Sequence, residues 1–167
     1  EENAMTAKST AAVTFHRPGV VDLFAGAGGL SLGFEQAGFD VLGAVEYDPV
    51  HCAVHEFNFP HSPVICRDLA TLPTDELVDL LAAPNTPEVI CGGPPCQGFS
   101  TIGKRALDDP RNELPREFIR VVRDLQPKYF LFENVPGLAT GNHSRILDEI
   151  VCAFSEAGYN VVQPVAV

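Results

Sequence analysis

Residues 20–38 read VVDLFAGAGGLSLGFEQAG, and the way they parse decides the fold. A short apolar run, Val20–Phe24, meets the glycine turn AGAGG. Leu30–Ala37 then follows as a helix that closes on Gly38. Glycines in this place let the backbone approach a ligand and leave amides bare at a helix N-terminus. Strand, glycine turn and helix make up the opening of a βαβ unit.

The same alternation runs down the chain. Val41–Val45 predicts a strand with Glu46 at its tip, and Pro49–Phe57 a helix with proline in its first turn. Val64–Cys66 predicts a short strand leading to Asp68, and Asp75–Leu81 a helix. Val89–Cys91 predicts a strand that opens into a long glycine-bearing loop, from Gly92 to about Arg111. Leu114, Phe118, Val121, Val122 and Leu125 recur at helical spacing until Pro127. Tyr129–Phe132 predicts a strand ending at Glu133. Ile146, Leu147, Ile150, Val151 and Phe154 form another helical face, ended by Gly158, and Val161–Val167 reads as a last strand-like piece. The pattern predicts an α/β fold: a doubly wound, mostly parallel sheet of Rossmann-like form.

Composition sets the bounds. The 167 residues are enough for one domain, and 46% hydrophobic content is enough for a packed core. Residues 1–17 read as a polar leader, with Glu1–Ala4 ahead of the single methionine, Met5, as an extraneous remnant; residues 18–167 read as the domain. The five cysteines form no CxxC pair and are odd in number. That pattern fits a reduced compartment, the cytoplasm of a prokaryote or a eukaryotic nucleus, better than a disulfide scaffold. No apolar run reaches the length of a membrane span. The net charge of −11 argues against a phosphate-binding surface on this chain.

The groups able to do chemistry cluster just past strand ends: Gly26, Gly28, Gly29, Glu46, Asp68, Pro94-Pro95-Cys96 and Glu133. In a doubly wound sheet those are the carboxyl ends, where ligands bind. The glycine spacing is not GxGxxG, because Ser31 takes the last position, so a pyrophosphate cofactor is disfavoured. Glu46 follows Gly26 by 20 residues, the distance at which an acid meets a ribose diol. S-adenosylmethionine fits, with its adenine, ribose and cationic sulfonium. The plain alternative is a glycine turn beside a surface acid.

DLFAGAGGLSLGF (22–34), EYDP (46–49), RDLATL (67–72), GGPPCQGFS (92–100), DPRNEL (109–114) and ENVPGL (133–138) occur in this order. Together they resemble the N-terminal motifs of the DNA cytosine-5 methyltransferases, across Val20 to Val167. The PPCQGFS and ENVPG elements are specific; many methyltransferases share a similar glycine loop. A tRNA-modifying branch has a related PPCQ element, although GFS is more typical of the DNA enzymes.

The resemblance implies an S-adenosylmethionine-dependent methyltransferase fold, incomplete here, and assigns roles. Cys96 is the nucleophile that adds to carbon 6 of cytosine and so activates carbon 5. Pro94 and Pro95 stiffen the approach to it. Glu133 protonates or hydrogen-bonds ring nitrogen N3, and Asn134 holds its loop. Phe24 packs on the adenosyl group beside Gly26, Gly28 and Gly29, although it could equally be core alone. Glu46 takes the ribose hydroxyls and Asp68 the adenine amino group. Pro94, Asn112 and Leu114 complete the cofactor set. Gln97, Gly98, Ser100, Lys104 and Arg105 belong to a substrate loop that closes over a flipped-out base.

His51, Cys52, His55, His61 and Cys66 raise the question of zinc, but HCAVH lacks the glutamate of HExxH and no CxxC accompanies it, so no metal is expected. The family's arginine element, target-recognition region and final helix have no counterpart in these residues. The expectation is therefore an N-terminal fragment or split subunit, inactive alone, that meets DNA only with a C-terminal half or second subunit. A noncatalytic cofactor-binding or interaction module, or a fragment of a tRNA cytosine-5 methyltransferase, is the alternative.

Overall fold

The structure is a computed structural model, and it describes residues 17–81, 86–95, 107, 113–139, 144–162 and 165. Five parallel strands, β1 (Gly19–Leu23), β2 (Asp40–Glu46), β3 (Val64–Cys66), β4 (Val89–Gly92) and β5 (Tyr129–Phe132), lie in the order β3-β2-β1-β4-β5. The helices are α1 (Gly29–Gln36), α2 (Pro49–Asn58), α3 (Thr74–Leu81), α4 (Glu113–Leu125) and α5 (Ser144–Glu156). This is the doubly wound α/β sheet expected. The chain winds outward one way through β2 and β3, then crosses to β4 and β5 on the other side of β1. The crevice between β1 and β4 is thus the switch point, where such sheets hold ligands.

The strands are apolar runs because both faces are covered. Every residue of β1 and β4 is buried. Val21, Leu23 and Ile90 pack with Phe118, Val121 and Val122 of α4 and Ile146, Ile150 and Phe154 of α5. Val20, Val89 and Cys91 turn the other way, toward Leu30 and Phe34 of α1. The period-2 alternation of strand side chains sorts them between these two layers. Phe118 meets Phe132 edge-on at 5.3 Å, and Phe130 stacks on Phe154 at 4.0 Å, fixing β5 against the helices.

Local chemistry sets several helix ends. Asp48 caps α2, its carboxylate accepting from Val50 and His51 N–H, with Pro49 in the first turn. At the end of α1, Gly38 N–H reaches Glu35 O and Phe39 N–H reaches Phe34 O.

One expectation is corrected in part. Of the stretch 161–167, the described residues Val161, Val162 and Val165 are not in a strand, and among the described residues β5 is the edge of the sheet. An apolar run becomes a strand only by joining a ladder. Here Tyr159 N–H bonds to Phe154 O and its hydroxyl donates to Pro127 O at 2.8 Å, carrying the chain past the sheet with Val161 against the core and Val162 in solvent. Among the described residues, no helix is long and apolar enough to cross a membrane.

Candidate active site

The loop after β1 is built under strain. Phe24, not a glycine, has φ 61°, a left-handed conformation that bulky residues adopt only when their surroundings impose it. Those surroundings are visible: Ala25 N–H bonds to Val45 O at 3.2 Å, and Gly28 N–H to Ala25 O at 2.9 Å. Gly26 N–H donates to Glu46 Oε2 at 2.8 Å. Glu46 Oε1 accepts from Tyr47 and Asp48 N–H, each at 2.9 Å. One carboxylate thus ties the β1 loop to the tip of β2. Three N–H groups leave about one of its roughly four acceptor positions open.

Glu46 also lines a cleft of about 220 Å³, together with Phe24, Val45, Tyr47, Arg67, Asp68, Leu69 and Leu114. Four of the expected cofactor residues, Phe24, Glu46, Asp68 and Leu114, therefore meet around one space. Asp68 caps the short turn Leu69–Thr71 through Oδ1, which accepts from Ala70 N–H at 3.0 Å. Gly26, Gly28, Gly29 and Pro94 do not line this cleft. Gly28 faces α2 instead: a Cβ there would lie 2.3 Å from Phe59 Cε2 and 3.1 Å from His55 Cδ2. A separate depression of about 470 Å³ is lined by Glu56, Phe59, Pro60, His61, Ser62 and Pro63, where α2 leads into β3.

The tips of β4 and β5 form the second half of the site. Gly92 and Phe132 are register partners, and Glu133 N–H bonds to Gly92 O at 2.9 Å. Glu133 lies over Gly93 so closely that a Cβ on Gly93 would be 2.6 Å from its Oε2. Asn134 Nδ2 donates to Pro94 O at 2.8 Å. The acid and the prolines preceding Cys96 are therefore held together. Cys96, Gln97, Gly98, Ser100, Lys104, Arg105 and Asn112 lie outside the described residues. Within the same long loop, Leu107 N–H donates to Glu149 of α5 at 2.8 Å.

Two groups of supporting residues escaped the sequence reading. Arg120 of α4 donates to Leu69 O at 3.1 Å, to Leu72 O at 2.9 Å and to Glu117 at 2.6 Å, holding the turn that carries Asp68. An arginine on the polar face of an amphipathic helix gives no sign of this. The second group lies beneath the glycine loop. Asp22 and Ser31 are buried, and Asp22 Oδ2 accepts from Ser31 N–H at 3.0 Å and Ser31 Oγ at 2.7 Å. Ser31 Oγ is also 3.1 Å from Nε2 of His55, which is buried as well. Burial raises the Asp22 pKa to about 6, against the Ser31 hydrogen bonds that lower it. The signal available in the sequence was a lone acid inside an apolar strand.

The histidines and cysteines of α2 diverge in this structure. His51 is exposed with Nδ1 3.9 Å from Glu46 Oε1, whereas His55 points into the core. Cys52 Sγ donates to Glu46 O at 3.4 Å; burial, with Cys66 beside it, pushes its thiol pKa up to about 12. Among the described residues no three His, Cys, Asp or Glu side chains gather to hold a metal.

Residues 19–166 match the sequence profile of a family described as C-5 cytosine-specific DNA methylase. Over 147 residues the chain is 54% identical to the Type II methyltransferase M.XorII of Xanthomonas oryzae pv. oryzae, covering 87% of this chain and 35% of that protein. It is 47% identical over 144 residues to the Type II methyltransferase M1.HphI of Haemophilus parahaemolyticus, covering 84% of this chain and 38% of that one. An Escherichia coli prophage-encoded protein, described as a DNA modification methyltransferase, has a solved structure that superposes with a TM-score of 0.71. It is 41% identical, over 83% of this chain and 38% of that one. The chain thus spans little more than a third of the length of these relatives.

Proposed function

The chain belongs to the C-5 cytosine-specific DNA methylase family, and on that premise we propose that it carries the cofactor cleft and the nucleophile for methyl transfer from S-adenosylmethionine to carbon 5 of cytosine in DNA. The observation that carries this reading is the junction of the β4 and β5 tips, where Asn134 holds Pro94 O at 2.8 Å and Glu133 lies on Gly93.

The cleft suits the cofactor chemically. Phe24 and Leu114 offer apolar surface, and Glu46 and Asp68 offer two acceptors for a diol and an amino group. Arg67, the one cation in the lining, is paired with Glu76, so the cleft makes little demand for phosphate. When bound, S-adenosylmethionine supplies an electrophilic methyl group and leaves as S-adenosylhomocysteine. No metal enters the scheme.

The chain's own residues do the rest. The Cys96 thiolate adds to carbon 6 of cytosine, and the electron pair of the 5,6 double bond shifts into the ring toward N3. Glu133, in its acid form, donates a proton to N3 and leaves an enamine whose carbon 5 is nucleophilic. After transfer, loss of the carbon 5 proton to a base expels Cys96 as thiolate, and N3 returns its proton to the Glu133 carboxylate, which restores the neutral ring. Pro94, buried and gripped by Asn134, fixes the backbone from which Cys96 departs. The base has to leave the helical stack to reach this point.

The partner is DNA, engaged together with sequence beyond these residues or with a second subunit. A surface at −11 repels phosphate, so the basic DNA-gripping surface belongs elsewhere.

Calorimetry with S-adenosylhomocysteine tests the cleft: Glu46→Ala and Asp68→Ala should each weaken binding, and unchanged affinity in both would place the site elsewhere. In an assembly that includes the remaining sequence, Cys96→Ser should abolish covalent capture of DNA carrying 5-fluorocytosine, whose fluorine cannot leave as a proton. Capture that persists would remove Cys96 from the mechanism.

A further inference from the structure

Helix α1 begins beneath the cofactor loop with a deficiency. Its N-cap is Gly28, which has no side chain to accept from the first-turn amides. Ser31, three residues on, has its N–H satisfied from another element: Asp22 of β1 accepts it at 3.0 Å. Asp22 therefore stands where a capping side chain would. It also ties together the two ends of the segment that contains Phe24, Gly26 and Gly28, the three positive-φ residues of the loop, of which Phe24 is the strained one.

Hydrogen counting then fixes a direction. Ser31 Oγ is 2.7 Å from Asp22 Oδ2 and 3.1 Å from His55 Nε2. A carboxylate can only accept, so the serine proton points at Asp22. The serine oxygen is then left to accept from His55, whose proton must be on Nε2. Nδ1 is bare, buried and without a hydrogen-bond partner. A neutral ring is consistent with burial, which lowers the His55 pKa despite the nearby Glu46 carboxylate. The Cys91 thiol and Glu46 are the other titratable groups facing Asp22.

We propose that Asp22, Ser31 and His55 form a directional relay, Nε2–H to Oγ–H to carboxylate, and that His55 is through it a positioning residue for the cofactor loop. His55 reaches the loop twice, by the Ser31 hydroxyl and by its ring edge against Gly28. Phe59 backs the ring at 4.7 Å and keeps it in place. The function of the relay rests on the cofactor reading above, whereas its chemistry does not.

The test therefore has two arms on the 167-residue chain. Nitrogen-15 spectra of the imidazoles should show His55 neutral with the proton on Nε2; a proton on Nδ1 would overturn the relay whatever binds. Calorimetry with S-adenosylhomocysteine compares His55→Phe, which keeps the ring packing but donates nothing, with His55→Gln, whose side-chain amide can replace the Nε2–H. The Phe variant should bind about 10-fold more weakly, the order expected for one lost buried hydrogen bond, and the Gln variant within about 3-fold of the parent. Equal affinities for the two variants would reduce His55 to a packing residue and refute its positioning role. If the parent chain binds no S-adenosylhomocysteine, the cofactor reading and the positioning role both fall, and the spectra alone decide the relay.

Discussion

Replacing Gly28 by alanine should cost the fold about 2–5 kcal/mol. Two independent terms add. The backbone at Gly28 has φ +96°, and a side chain in left-handed conformation costs about 1–2 kcal/mol. The new Cβ would also lie 2.3 Å from Phe59 Cε2 and 3.1 Å from His55 Cδ2, so both rings must move within a packed layer, at about 1–3 kcal/mol. Gly33 supplies the internal control. It lies in the interior of the same helix, exposed, and a Cβ there would meet nothing within 4 Å. Gly33→Ala should stabilise by about 0.5–1 kcal/mol, because alanine loses less backbone entropy in a helix. Urea unfolding of the three chains, analysed with a shared slope, measures both differences. The opposite signs matter more than either magnitude. If Gly28→Ala fell within about 1 kcal/mol of the parent, or if both variants lost stability equally, the close packing of the loop on α2 would be wrong.

Three further outcomes follow from the same geometry. Asp22 has its folded pKa raised to about 6 from 3.8, so its contribution favours the fold fully below about pH 4 and is lost as pH rises through 6; the loss is about 3 kcal/mol. Asp22→Asn should therefore gain stability relative to the parent between pH 4 and pH 8, and a difference that is flat with pH would contradict the buried charge. Arg120→Ala should cost about 2 kcal/mol by freeing the carbonyls of Leu69 and Leu72, and Arg120→Lys should recover little, since an ammonium cannot fork to both; full recovery in denaturant titrations would rule out the clamp. The 167 residues alone should transfer no labelled methyl group to mixed-sequence DNA, because phosphate meets a surface at −11; robust, sequence-specific transfer would show that the DNA-gripping groups are already present.

What could be read from the sequence was set by range. Strands β1 to β5 were legible because each is an apolar run bounded by turn residues, and helices α4 and α5 because their apolar positions recur at helical spacing. The meeting of Glu46 with the glycine loop was also legible, since a fixed βαβ unit sets the distance between one strand tip and the next. Val161, Val162 and Val165 misled because apolar alternation reports a capacity to pair and says nothing of whether a ladder is on offer. The pairings across elements were hidden for a different reason. Arg120 meets Leu69 from 51 residues away, and His55 meets Ser31 from 24, with no repeat or motif connecting them. The sequence instead set His55 beside His51 and Cys52, where it raised a question about metal. In the structure it is buried against Ser31, whereas His51, one turn earlier, is exposed beside Glu46.

Even the glycine loop, the most readable feature, divides its work in a way its spacing conceals. Gly26 gives its amide to Glu46 at the cleft, whereas Gly28 gives up its side chain so that Phe59 and His55 can close beneath the loop. The first ties the loop to the tip of β2; the second leaves room for two rings to pack beneath it. A substitution at Gly28 should therefore be read first as damage to that support, and any loss of cofactor affinity as its consequence.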